Sequence, residues 1–168
     1  MPCTLGTMLM RQLLTIIIFL FLLLRPSAKA QKSNSINPTG LYNFDGHSYK
    51  KNGDTYGYFG TIKVVRLDSV KILMSFYICK GAPSYNSGSF VDTLNYLNNE
   101  AIYRGDTSIA ETTCKLTLHF TSKGINAELL SDYPNLACGF GHAVDAQGFY
   151  KRVKGKIPTK KEILSDDE

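Results

Sequence analysis

The sequence predicts an all-β protein, a small antiparallel β-barrel of about eight strands in an up-and-down meander. Apolar and polar residues alternate with a period of two in several segments, turn-forming residues separate these segments, and no segment has helical periodicity long enough to form a helix face. A two-sheet β-sandwich is the alternative arrangement of such strands. The barrel is favoured because pairing of the first and last strands leaves no open sheet edge.

The first predicted strand is residues 40–44, and the next long one is residues 58–67. Asp45-Gly46 and Asn52-Gly53 lie between them. Such pairs favour tight hairpin turns because their second residue adopts positive φ without strain. The sequence therefore predicts at least one hairpin before the long strand.

The clearest strand spans residues 70–79, where large apolar residues occupy every second position. Successive side chains of a strand point to opposite faces, so these residues are predicted to face the core together. They are Val70, Ile72, Met74, Phe76 and Ile78.

Shorter strands are predicted in the second half of the chain. Residues 89–96 and 101–103 flank the Asn98-Asn99 pair, whose residue type tolerates turn geometry. Residues 116–120 and 125–129 flank a Lys123-Gly124 turn and predict a hairpin. The last predicted strand is residues 148–152.

The first thirty residues, 1–30, read as a secretory signal peptide. Arg11 supplies the positive flank, residues 13–24 are apolar apart from Thr15, and Ala28-Lys29-Ala30 has the small-x-small pattern of a cleavage site. The apolar run is shorter than the about 20 residues that a membrane helix needs. We therefore expect a periplasmic or secreted protein without a membrane anchor after cleavage.

The remaining chain divides into three parts by composition. Residues 31–39 are polar and are predicted to be a flexible lead-in. Residues 40–153 form the predicted β-barrel domain. Residues 154–168 are predicted to be a charged, solvated tail, with which a short helix over Lys160–Leu164 is compatible.

The charge of the mature chain does not indicate a particular partner. Cleavage removes Arg11, Arg25 and Lys29, which leaves 16 basic against 14 acidic residues, a net charge of +2. The basic residues are interleaved with acidic ones and form no block. A nucleic-acid partner is therefore not expected.

Three cysteines remain after cleavage, Cys79, Cys114 and Cys138. An exported chain meets an oxidising compartment, which favours one disulfide and one unpaired thiol. Cys114 opens a predicted strand and Cys138 follows a turn-rich loop, so we predict that these two are bonded. Cys79 is then free, either as a small apolar filler or as a half-exposed strand residue.

Catalytic and metal-binding residues are not apparent in the sequence. The segment 138–152 contains several glycines around His142. A catalytic role for His142 would need a nucleophile, but no serine lies in a G-x-S-x-G setting and Cys138 is expected to be disulfide-bonded. His47, His119 and His142 lie on separate segments, which does not match metal-ligand spacing. The acidic residues show no paired spacing. We therefore expect no catalytic residue, no metal and no cofactor.

Two segments are candidate binding surfaces. The loop around residues 81–89 is longer than a tight hairpin needs and carries the candidate contacts Ser84, Tyr85, Asn86 and Ser87. Tyrosine provides amphipathic contact area at low entropic cost. An ordinary mobile loop is the alternative interpretation. A secondary candidate surface follows Cys138 and consists of Phe140, His142 and Asp145.

Four short motifs occur in order along the chain: Y-x-G-x-I-x-V from Tyr58, N-x-x-A-x-Y from Asn98, C-x-L-x-x-x-F from Cys114, and C-x-x-G-x-x-V-x-x-x-G-x-Y from Cys138. Together they resemble an exported bacterial β-domain that occurs alone and beside modules of the LprI-type lysozyme-inhibitor class. The resemblance covers roughly residues 56–153. It implies a compact all-β domain whose two cysteines match Cys114 and Cys138, and it suggests inhibition of lysozyme by a loop.

These observations lead to an expected function. We expect a monomeric, exported, non-enzymatic protein-binding module, with lysozyme or another cell-wall hydrolase as its partner. The alternative is a small-ligand-binding β-barrel of the cell envelope. Bulky inward residues such as Phe76 and Phe120 disfavour that alternative because they fill a small barrel. An enzyme is not expected, since no set of acid, base and nucleophile is recognisable.

Overall fold

The computed structural model describes residues 35–105, 114–131 and 138–166. The predicted signal peptide lies outside these residues. In the described part of the chain no helix is long and apolar enough to cross a membrane. The described elements are β1 (Gly40–Phe44), β2 (Tyr49–Lys51), β3 (Asp54–Arg66), β4 (Lys71–Gly81), β5 (Ser87–Leu97), β6 (Glu100–Arg104), β7 (Cys114–Phe120), β8 (Gly124–Ser131), β9 (Gly148–Arg152) and α1 (Lys160–Leu164).

The strands form a closed antiparallel barrel, which confirms the predicted fold class. From β3 to β9 each strand pairs with the next in sequence, and β1 closes the barrel by pairing with both β9 and β3. β2 is an additional strand that pairs with the first residues of β3. Asn52 and Gly53 form the β2–β3 turn with φ values of 54° and 90°, as their sequence predicts.

The interior is filled by side chains. On β4, the residues Ile72, Met74, Phe76 and Ile78 are at most 1% exposed. Val70 was expected to share this face, but it is 48% exposed because it belongs to the turn that precedes β4. Large side chains from the other strands complete the core, among them Tyr42, Ile62, Leu116, Leu118, Phe120, Ile125 and Tyr150.

The described end of the lead-in, residues 35–39, closes one end of the barrel. The hydroxyl of Tyr42 donates to the carbonyl oxygen of Pro38 at 2.6 Å, and that of Tyr96 donates to the carbonyl oxygen of Ile36 at 2.7 Å. The Ile36 amide donates to Asn99 Oδ1 at 2.7 Å. These residues of the predicted lead-in therefore contact the barrel, because the two buried tyrosine hydroxyls find their acceptors there.

The C-terminal segment packs on the outside of β3 and β4. Thr159 caps α1, and Ile163 is fully buried. Asp166 accepts hydrogen bonds from Lys63 Nζ at 2.7 Å and from Ser75 Oγ at 2.6 Å. The described part of the tail is therefore mostly exposed, and it is held against the outer wall by one apolar side chain and one carboxylate.

The predicted disulfide is present. Cys114 and Cys138 are bonded, with 5.2 Å between their Cα atoms, and the bond ties the start of β7 to the segment that precedes β9. Cys79 is a free thiol and only 2% exposed. Cys79 is therefore not half-exposed, and its Sγ donates to the carbonyl oxygen of Tyr85 at 3.7 Å and accepts from the Gly81 amide at 3.4 Å.

Candidate functional site

The two candidate binding segments lie side by side at the end of the barrel opposite to residues 35–39. Asn86 Nδ2 donates to the carbonyl oxygen of His142 at 2.9 Å, and the Gly141 amide donates to the carbonyl oxygen of Ser87 at 2.7 Å. We call the resulting surface the loop-end surface. It is made of Ser84, Tyr85, Asn86, Ser87, His142 and Asp145.

The backbone of the candidate loop is held in place. The Ala82 amide donates to the carbonyl oxygen of Thr55 at 2.7 Å, and the Tyr85 amide donates to the carbonyl oxygen of Gly81 at 2.9 Å. Gly81 has φ +75°, and a Cβ there would lie 2.6 Å from the Thr55 oxygen. Glycine therefore permits the close approach of the loop to β3. These contacts favour an ordered loop over the mobile alternative.

Tyr85 is the exposed aromatic residue of this loop. Its side chain is 43% exposed, and its hydroxyl donates to Asp54 Oδ1 at 2.7 Å while accepting from the Thr55 amide at 3.2 Å. The hydrogen bond to the Asp54 carboxylate raises the pKa of Tyr85 above its ordinary value of 10.0. The hydroxyl is thus anchored on β3, and the rest of the ring is available for contact.

Tyr58 supports the other half of the loop-end surface. Its hydroxyl donates to the carbonyl oxygen of Ala143 at 3.1 Å and accepts from the Asp145 amide at 3.2 Å. Val144 is fully buried, whereas His142 and Asp145 are exposed. The segment before β9 is therefore held in place by its buried residue Val144 and by its backbone contacts to Tyr58, while the side chains of His142 and Asp145 point to solvent.

Phe140 does not belong to this surface, contrary to the sequence-based prediction. It is 2% exposed and stacks on Phe76 with 5.8 Å between ring centroids. Gly88 lies directly beneath the ring, and a Cβ at Gly88 would lie 2.3 Å from it. Phe140 therefore closes this end of the core, and the missing side chain of Gly88 makes room for it.

A pair of stacked tyrosines lies on the β2–β3 hairpin and was not predicted from the sequence. Tyr49 and Tyr56 are cross-strand partners with ring centroids 5.4 Å apart and planes 11° apart. Tyr49 is 60% exposed, and Tyr56 forms a backbone bridge with Ala82 at the start of the loop. Their symmetric placement about the Asn52-Gly53 turn is a signal that could have identified them.

The histidines occupy separate places in the structure. His119 lies on the outer wall, where its Nδ1 is 3.2 Å from Glu100 Oε2 and its Nε2 is 3.8 Å from Glu128 Oε2. His142 is at the loop-end surface and His47 follows β1. Within residues 35–105, 114–131 and 138–166, no group of three or more His, Cys, Asp or Glu side chains could hold a metal ion.

Fold and site together define an up-and-down β-barrel with a packed interior and an ordered, tyrosine-bearing surface at one end. No family model, curated protein or solved structure matches the chain. The motifs of the resemblance fall on β3, on the turn into β6, on β7 and on the segment from Cys138 through β9. The resemblance to the exported domain therefore depends on these motifs alone.

Proposed function

We propose that this protein is an exported, non-enzymatic protein-binding module whose contact surface is the loop-end surface. The observation that carries the proposal is the joining of two separate segments through Asn86 and His142, with an anchored, exposed Tyr85 beside the junction. A surface ordered before binding loses little conformational entropy when a partner binds.

The residue types of the loop-end surface support a protein partner. Tyrosine offers a large amphipathic contact area with few rotatable bonds, while serine and asparagine offer adaptable hydrogen bonds. Ser84, Tyr85, Asn86 and Ser87 provide this combination on one short loop. The stacked pair Tyr49 and Tyr56 extends the aromatic area on the neighbouring hairpin.

A lysozyme or another cell-wall hydrolase is the partner that we propose to test first. The resemblance to the exported β-domain is the reason for this choice, because that domain also occurs beside lysozyme-inhibitor-like modules. In this mode the loop with Tyr85 would enter the substrate cleft of the hydrolase. The choice of a lysozyme as the partner follows from this resemblance.

Export is supported by two independent features. The first thirty residues, 1–30, have the pattern of a signal peptide. The Cys114–Cys138 disulfide is compatible with an oxidising compartment. We propose a periplasmic or secreted location.

The alternative function, binding of a small apolar ligand inside the barrel, receives less support. Tyr42, Phe76 and Tyr150 are at most 1% exposed and project into the core. Ring contacts connect Phe76 to Phe90, Phe140 and Tyr150 with centroids 5.2 to 5.8 Å apart. These side chains occupy the space that an apolar guest would need.

Inhibition assays test the proposal. Residues 31–168, purified under oxidising conditions, are assayed against c-type, g-type and i-type lysozymes. We expect one class to be inhibited and the Tyr85→Ala variant to be at least about tenfold weaker, as for a central interface tyrosine. Tyr77→Ala is the matched control, because Tyr77 is 39% exposed but lies on the outer wall. Equal losses in both variants, or no inhibition at micromolar protein, would count against the proposal.

A further inference from the structure

Two neighbouring side chains on the outer wall of the barrel hold one carboxylate. Lys63 on β3 and Ser75 on β4 are cross-strand register partners. Lys63 Nζ donates to Asp166 Oδ1 at 2.7 Å, and Ser75 Oγ donates to Asp166 Oδ2 at 2.6 Å. Each oxygen of the carboxylate thus has its own donor. We call Lys63 and Ser75 the carboxylate clasp.

The burial of Ser75 distinguishes this clasp from an ordinary surface ion pair. Ser75 alternates with the core residues Met74 and Phe76, so its side chain points outward, yet it is only 5% exposed. A buried hydroxyl needs a hydrogen-bond partner, and the Asp166 carboxylate provides one. Hydrogen bonds to an ionised group are stronger than those between neutral groups. The position beside Lys63 and Ser75 therefore favours an anionic oxygen acceptor.

An apolar contact accompanies the clasp. Leu73 also points outward from β4, and it is 7% exposed and lies outside the core cluster of the barrel. α1 packs against β3 and β4, and its residue Ile163 is fully buried. The Asp166 amide donates to the carbonyl oxygen of Ile163 at 3.1 Å, and residues three apart on a helical turn share one face. One face of the C-terminal segment therefore presents an aliphatic side chain and a carboxylate to the wall.

The connection of this segment to the barrel allows it to detach. Residues 153–158, which join β9 to α1, include no buried residue, and Ile157 is 75% exposed. α1 has five residues, which is too few for a stable isolated helix. A short flexible connection gives an attached segment an effective concentration on the order of millimolar. A partner segment that carries the same two groups and makes further contacts can therefore displace it.

We propose that Lys63, Leu73 and Ser75 form a docking site for a short helical segment of a partner protein, and that the C-terminal segment occupies this site in the free protein. The partner segment has a large aliphatic residue three positions before Asp or Glu, because this is the pattern of Ile163 and Asp166. One helix face is recognised by an apolar surface together with a polar anchor. The contact made by the chain's own segment is then autoinhibitory. The site is separate from the loop-end surface and does not depend on the proposed function.

A peptide with the sequence of the chain's own segment tests the site directly. The probe is the decapeptide of residues 157–166, IPTKKEILSD, with an amidated C terminus. The receptor is isotope-labelled residues 31–168 carrying Ile163→Ala and Asp166→Asn, which free the wall from its own segment. An NMR titration at low salt follows the amides of Lys63, Leu73 and Ser75. We expect this double variant to bind the peptide at least about tenfold more tightly than the wild type, in which the attached segment competes.

Matched substitutions test whether the peptide uses the predicted contacts. In the peptide, Ile163→Ala or Asp166→Asn should weaken binding at least about tenfold, as for a central contact residue. Leu164→Ala should leave binding unchanged, because Leu164 is 54% exposed in the docked segment. In the double variant, adding Ser75→Ala should also weaken binding. Adding Ser89→Ala should not, because Ser89 is exposed on the neighbouring strand β5.

Several results would overturn the proposal. They are absence of amide shifts in the double variant at millimolar peptide, equal binding by the wild type, and equal binding of the Asp166→Asn peptide. If the amide spectrum shows that the double variant is unfolded, the Asp166→Asn single variant is measured under the same criteria. Sedimentation velocity covers the remaining occupant, because a wild-type dimer that the peptide dissociates would assign the wall to a second copy of this chain instead. A failed lysozyme assay with positive peptide binding would leave this inference intact.

Discussion

The side-chain amide of Asn86 donates a hydrogen bond of 2.9 Å to the carbonyl oxygen of His142, which connects residues 56 positions apart in sequence. Through this bond the β4–β5 loop and the segment before β9 form one surface. The Gly141 amide and the Ser87 carbonyl oxygen, 2.7 Å apart, add a second connection. The loop-end surface is therefore maintained by a small number of identifiable contacts.

Replacing Asn86 with alanine tests the connection between the two segments. Asn86→Ala removes the bond to His142, and we expect about 1 kcal/mol lower stability in urea, the usual value of one hydrogen bond. Hydrogen exchange should also become faster in the loop of residues 82–86. Asn126→Ala is the control, because Asn126 is exposed on β8. Equal exchange rates in both variants would contradict the role assigned to Asn86.

The Tyr85–Asp54 hydrogen bond predicts a pH effect. The bond raises the pKa of Tyr85 above 10.0, so the folded protein holds this proton more tightly than the unfolded chain. The resulting stabilisation is complete below about pH 10 and is lost as the pH rises through the folded pKa. Asp54→Asn should lower the pKa of Tyr85 in an NMR titration of labelled tyrosine, whereas Asp145→Asn should not. Equal titration curves in the wild type and Asp54→Asn would refute this assignment.

Much of the barrel could be predicted because its determinants are local. The alternation on β4 and the turn residues Asn52, Gly53, Asn98 and Asn99 specify strands and their connections without reference to distant residues. The observed φ values of these four turn residues are all positive, between 52° and 90°. Closure of the barrel by β1 and β9 could be predicted because pairing the first and last strands leaves no open sheet edge.

The site could be predicted only in part because its assembly depends on distant contacts. Both candidate segments were identified by composition, but their adjacency depends on bonds such as that from Asn86 to His142. Phe140 was assigned to the surface because nothing in its neighbourhood shows that Gly88 leaves room for its ring.

Reduction of the disulfide should destabilise the barrel. Cys114 and Cys138 are 24 residues apart, and closing a loop of this size restricts the unfolded chain by about 3 kcal/mol. Urea unfolding of residues 31–168 should therefore shift to lower concentration when a reductant is present. Cys79→Ala should retain this dependence on reductant. A transition that does not respond to reductant would argue against the assigned pairing.

The docking of the C-terminal segment depends on one buried residue. Ile163 is fully buried and its neighbour Leu164 is 54% exposed, so the two alanine variants form a matched pair. We expect Ile163→Ala to weaken docking by about 2 kcal/mol, in proportion to the apolar area lost, and Leu164→Ala to have little effect. Trypsin cleavage near Lys160 reports the release of α1. Equal cleavage rates in the two variants would contradict this account.

Substitutions at Gly148 and at His142 should have different effects on stability, because Gly148 is required by the backbone conformation and His142 is exposed. Gly148 has φ +139°, and a Cβ there would lie 2.6 Å from the Phe44 ring. Gly148→Val should therefore cost more than about 2 kcal/mol, whereas replacing the exposed His142 with alanine should change stability by about 0.5 kcal/mol or less. Thermal unfolding followed by circular dichroism compares them. A large loss of stability in His142→Ala would show that its side chain supports the fold.

Inhibition of c-type, g-type and i-type lysozymes by residues 31–168, with Tyr85→Ala and Tyr77→Ala assayed alongside, tests both the proposed partner and the proposed surface. We expect inhibition of one class that is lost in Tyr85→Ala and kept in Tyr77→Ala, since of these two residues only Tyr85 lies on the loop-end surface. Absence of inhibition of all three classes at micromolar protein would contradict the proposed partner. Inhibition that survives Tyr85→Ala would contradict the proposed surface.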